Sequence, residues 1–152
     1  MNTRAVFELA KIPVYLFAIF AFTFCNVVRA DDSNLGAIKA QGAQLIAKDD
    51  LTALLTGASL TRQVERGEVH INTLKDGSLN SDFKSKMRNV NQIKGYGTWK
   101  VSDDGKYCFD IKWNRGFDDV SGCRSMYKIG NDYYSAGSDG DDAKTYHYKI
   151  SK

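Results

Sequence analysis

The chain has 152 residues, a formal net charge of +3 and three cysteines, which suits one ordinary domain. Part of that positive charge lies in the first thirty residues. The remainder is close to neutral and gives no global electrostatic case for nucleic acid, so none is expected as a partner.

Arg4 and Lys11 flank the start of an apolar run from Ile12 to Phe24, and Val28-Arg29-Ala30 offers a small-residue cleavage site. Residues 1–30 therefore read as a secretory signal peptide. The competing reading is a retained anchor, because the run through Val28 nearly reaches the lower length for a spanning helix. Cys25 follows Phe24 rather than a small residue, which argues against lipid attachment there. Cleavage leaves about 120 residues, enough to enclose one core, and no membrane span. It also leaves only Cys108 and Cys123. An even count in an exported chain makes one disulfide the default. A zinc site would need a CxxC or a second cluster carrying His, and neither occurs.

Residues 31–48 are rich in Ala, Gly and Gln, and Gly36 and Gly42 weaken a helix, so this stretch is expected to be a mobile leader or a frayed turn. The β-rich domain is placed at residues 49–152. Asp49 and Asp50 precede a stripe of Leu51, Leu54 and Leu55, and Gly57 follows, which predicts one short helix lying on a sheet, its N-terminus capped and complemented by the carboxylates. From Ala58 the period changes to two. Leu60–Arg66 and Glu68–Leu74 read as strands, with a Lys75-Asp76-Gly77-Ser78 turn and a return from Leu79. Ser81–Lys94 is polar and basic, and is expected as a long loop or an irregular strand. Trp99 and Val101 share a face, and after a turn at Ser102–Gly105, Tyr107, Phe109, Ile111 and Trp113 recur every second residue. Cys123–Ile129, Tyr133-Tyr134 and Thr145–Ile150 follow as strands. Cys108 points away from the aromatic face, whereas Cys123 shares parity with apolar Tyr127 and Ile129, so the disulfide is expected to need a bulge near Gly122. The fold class is mainly β: an antiparallel meander forming a small barrel or half-barrel, with one N-terminal helix and the Cys108–Cys123 link.

The candidate chemistry is sparse. His70 and His147 are the two imidazoles and sit in separate strands; no Ser-His-Asp or Cys-His arrangement is legible, and no catalytic residue, metal site or cofactor is expected. Asp139, Asp141 and Asp142 surround Gly140, but the spacing of a calcium loop is absent, so a solvated turn is the reading. Lys84, Lys86 and Arg88, beside Tyr96 and Trp113, form the candidate binding surface, suited to an acidic protein, a glycan or another anionic partner at the cell envelope.

A helix ending in Leu55-Thr56-Gly57, a Lys75-Asp76-Gly77 turn, Gly97-Thr98-Trp99-Lys100-Val101, Asp104-Gly105, Cys108, Cys123 and Gly130-Asn131-Asp132-Tyr133-Tyr134 together resemble a diffuse group of small exported bacterial proteins of unknown function. The resemblance covers roughly residues 50–150. It implies a disulfide-linked β-domain and brings no catalytic residues. In size, export and barrel tendency the chain is also similar to periplasmic inhibitors of lysozyme, whose inhibitory loop Ser135-Ala136-Gly137 echoes faintly.

The leading expectation is an exported, non-catalytic binding module, periplasmic or secreted, contacting an envelope or extracellular protein or glycan. The alternatives are a small-ligand carrier of lipocalin-like form, a periplasmic enzyme inhibitor, or a hydrolase built on His70 or His147 with an Asp. A filled interior favours surface binding, a cavity favours a carrier, and a converged His and Asp favour an enzyme.

Overall fold

A computed structural model of the chain describes residues 33–87 and 92–152. The signal-peptide reading of residues 1–30 and the candidate residue Arg88 lie outside the described residues. Two helices and nine strands follow in the order α1 (Leu35–Ala40), β1 (Gln44–Leu45), α2 (Lys48–Leu55), β2 (Ser59–Val64), β3 (Gly67–Thr73), β4 (Ser78–Ser85), β5 (Ile93–Val101), β6 (Tyr107–Trp113), β7 (Val120–Ile129), β8 (Asp132–Ala136) and β9 (Thr145–Ser151).

Strands β2 to β9 each pair antiparallel with their sequence neighbours, and β2 meets β9 through Leu60↔Ile150 and Thr61↔Lys149, which closes an eight-stranded barrel. Closure removes the sheet edges that an open meander would leave. The register sets the inner face. Leu60, Ile71, Ser81, Gly95 and Trp113 lie in one row across β2 to β6, and Arg62, Val69, Phe83 and Ile93 lie in the next across β2 to β5. Gly97 allows the tight curl of β5 onto β6: a Cβ there would collide with the Asp110 carbonyl.

The expected helix is present but plugs one end of the barrel instead of lying on the wall. Leu51 and Leu55 of α2, both 0% exposed, pack with Leu60, Leu79, Trp99, Tyr107 and Met126. Its N-terminus also differs from expectation. Ala47 is the capping residue and makes no side-chain bond, so Asp49 and Asp50 complement the helix dipole from the first turn without capping it. Two polar side chains beside the plug are satisfied: the Thr73 hydroxyl donates to the Leu55 carbonyl, and Trp99 Nε1 donates to the Leu74 carbonyl at 2.9 Å.

Three sequence expectations are corrected. The stretch read as a leader contains α1, a second helix, capped by the Asn34 side chain, which accepts from the Ala37 N–H at 2.8 Å. Leu35 and Ile38 cover the outer face of β7 and β8 at Tyr127, Tyr134 and Ala136. Ser81–Ser85 belongs to a regular strand; Ser81 is buried inside and its hydroxyl donates to the His70 carbonyl at 2.9 Å. Finally, no bulge is needed at Gly122, because Cys108 and Cys123 sit directly opposite each other and are disulfide-bonded. Both face outward. Tyr127 and Ile129 share that outward parity and are apolar because α1 covers them, so an apolar stripe on β7 did not mark the barrel interior.

Candidate functional site

Among the described residues, the barrel interior is open at the end opposite α2. The connections there include the two-residue turn Glu65-Arg66 and the loop 114–119, neither of which supplies a helix to fill it. A cavity of about 620 Å3 results, walled by Val69, Phe83, Phe109, Ile111, Trp113 and Val120. That volume is in the range of small-molecule pockets. Phe117, from the β6–β7 loop, leans over the mouth against Phe83 and Trp113, with ring centres 5.0 and 5.2 Å away. Tyr107 stands at the boundary between plug and cavity. Its hydroxyl is buried with no hydrogen-bond partner among the described residues, and burial pushes its pKa well above the ordinary tyrosine value.

Three arginines, Arg62, Arg66 and Arg124, interrupt this apolar lining; Arg66 belongs to the β2–β3 turn, and the other two stand on strands. Arg62 pairs in register with Val69, and Arg124 with Tyr107, so both belong to the inner face; both are half-buried. Their guanidinium carbons lie 3.9 and 4.6 Å from the centre of the same ring, Tyr146. Stacking on a π face orients a guanidinium while leaving its N–H donors available. Glu65 and Asp118 also line the cavity, but among the described residues neither Arg62 nor Arg124 has an ion pair.

The wall beside Arg62 is breached. Pairing of β2 with β9 ends at Thr61, and beyond it the strands diverge around a polar hollow of about 370 Å3 lined by Gln63, Glu65, Lys86, Lys144, Tyr146 and His147. Arg62 and Val64 line both spaces.

The sequence-predicted surface residues do not form one patch. Trp113 faces inward and lines the cavity. Tyr96, 55% exposed, stands on the outer wall between Asn80 and Lys112. Lys84 lies on the outer wall opposite Glu68, and Lys86 borders the polar hollow. Arg62 and Arg124 were missed, although each is a charged residue at an inward position of a strand, which is the signal that finds them.

The histidines occupy the outer wall on separate strands. His147 Nε2 lies 2.7 Å from Asp132 Oδ1, and its ring stacks near Tyr134; among the described residues no hydroxyl or thiol is bonded to it. His70 Nδ1 lies 3.2 Å from the Thr61 hydroxyl and its Nε2 lies 3.4 Å from Glu68. Thr61, His70 and Glu68 match the residue types of a hydrolytic triad, but they sit on paired strands whose backbone N–H groups are used in the sheet, and none of these three lines either hollow. The acidic turn is bound into the fold: Asp141 pairs with Lys39 at 3.0 Å, and Asp139 accepts from Ser125 at 3.0 Å. No group of three or more metal-ligating side chains is gathered among the described residues, and no helix among them is long and apolar enough to cross a membrane.

In comparisons with known proteins, no family model matches the chain, and no curated protein matches it significantly.

Proposed function

We propose that this protein is a carrier or receptor that binds a small, largely apolar ligand inside its barrel. The observation supporting this reading is the open cavity of about 620 Å3 with an aromatic and aliphatic wall. A surface-binding module has less support, because Trp113, its strongest aromatic anchor, lines the interior, and Tyr96 and Lys84 stand on the outer wall, away from it. Export to the periplasm or beyond completes the proposal, supported by the N-terminal sequence pattern and by the disulfide.

The test is a titration of the purified, oxidised protein with N-phenyl-1-naphthylamine, an uncharged fluorophore that brightens in apolar surroundings. Saturable binding of one molecule per chain is expected. Val69→Trp, which fills the cavity from β3, should abolish it while far-ultraviolet dichroism stays that of the parent. Unsaturable binding, or binding indifferent to a folded Val69→Trp variant, overturns the proposal.

A further inference from the structure

The geometry points to the class of ligand: we infer that Arg62 and Arg124 form an anion clamp, so that the barrel takes an amphiphile with one anionic headgroup and an apolar tail. This rests on the cavity-binding reading above and adds the chemistry of the headgroup.

Three observations converge. Both arginines project from inward positions of β2 and β7 into a largely apolar space, which Glu65, Arg66 and Asp118 also line, and a charge there is costly unless it is paired. Both are anchored on Tyr146, at 3.9 and 4.6 Å, and both line the same cavity, so the ring restricts their orientations before any ligand arrives. Among the described residues neither has a carboxylate partner. A carboxylate or phosphate oxygen accepts charge-assisted hydrogen bonds from a guanidinium, often two at once, and supplies the missing counter-charge.

The position of Arg62 sets the ligand's orientation. It lines both the apolar cavity and the polar hollow where β2 leaves β9, and Lys86 and Lys144 border that hollow. The tail then lies along Val69, Phe109 and Ile111, and the head lies at the breach in the wall. A neutral or cationic amphiphile gains the same tail contacts but leaves the guanidiniums unpaired.

The experiment displaces N-phenyl-1-naphthylamine with four twelve-carbon competitors kept below their micellar concentrations: dodecanoate, dodecyl phosphate, dodecan-1-ol and dodecyltrimethylammonium. Dodecanoate or dodecyl phosphate is expected to bind at least about tenfold more tightly than the alcohol, with the cation weakest, and the better of the two anions identifies the headgroup. Raising the salt from about 50 to 500 mM should shrink that ratio without weakening the alcohol. In the double variant Arg62→Gln/Arg124→Gln the anion-to-alcohol ratio should fall to about one. Equal binding of anions and alcohol by the parent protein overturns the clamp and leaves the cavity proposal standing. An anion preference that ignores salt, or that survives in the double variant, also overturns it. If the fluorophore does not bind at all, the cavity proposal fails first and the clamp with it.

Discussion

At the end of the barrel closed by α2, Leu51, Leu55 and Leu60 are fully buried, whereas at the opposite end Phe117 and Val120 are 41% and 43% exposed. Both ends are rich in apolar residues. The difference is what the chain supplies to cover them. The segment before β2 is long enough for two turns of helix, with Leu51 and Leu55 spaced to face the same way. At the other end the described residues of the connections form no helix: the β2–β3 turn is two residues long, and the β6–β7 loop contributes Phe117 and Asp118 to the lining. Apolar burial therefore stabilises the fold at one end, and at the other the same kind of surface stays available to a ligand.

The largest effect expected from breaking that contrast is on stability at the plugged end. Leu55→Ala removes packing from a filled core and should cost about 2–5 kcal/mol in a denaturant titration. Val120→Ala, at the open end, should change the midpoint by no more than about 0.5 kcal/mol while weakening fluorophore binding. Similar losses at both sites would mean that the open end is a packed core as well.

Next in size is the disulfide. Cys108 and Cys123 tie together the hairpin that carries Trp113, Phe117 and Val120 to the mouth. Replacing both with Ala should lower stability by about 3 kcal/mol through the entropy of the released loop, read from the shift in the denaturation midpoint. No shift would mean that barrel closure alone holds that hairpin.

The smallest effect concerns Tyr107, which belongs to both the plug core and the cavity lining. Burial favours its neutral phenol, so its pKa in the fold lies above the ordinary value of 10.0. The unfolded chain releases this proton near pH 10 while the folded chain keeps it. Its contribution is therefore complete below that pH and declines as the pH rises further. Tyr107→Phe should flatten the fall in stability above about pH 10 and, by deleting an unpartnered buried hydroxyl, should leave stability at neutral pH unchanged or slightly higher. An unaltered alkaline profile would place the Tyr107 hydroxyl in contact with solvent.

Much of the architecture was legible. The Tyr107, Phe109, Ile111, Trp113 alternation marks an inner wall, the leucine stripe before Gly57 marks α2, and the cysteine count marks the disulfide, because each depends on local periodicity or simple chemistry. The helix α1 was not legible. Gly36 lowers its propensity, yet the structure uses that glycine for close approach: its N–H bonds the Asp141 carbonyl at 2.8 Å, and a Cβ there would sit 3.0 Å from the Asp141 side chain. The cavity was not legible either. Whether alternating large side chains fill a barrel or leave it hollow depends on how glycines such as Gly95 and Gly97 curl the sheet and on where β2 leaves β9, and both are properties of the closed barrel. The inward parity of Trp113 was already visible beside Tyr107; treating it as a surface anchor neglected that parity.

The short strand β1 has a bearing on solubility. β6 pairs with β7 only as far as Arg124, and beyond that point Gln44 and Leu45 occupy the vacated edge of β7 at Tyr127 and Lys128 while α1 shields the neighbouring tyrosines. An uncovered rim of this kind invites strand addition from another copy, and the pairing of Gln44 and Leu45 with β7 uses backbone groups that such an addition would need.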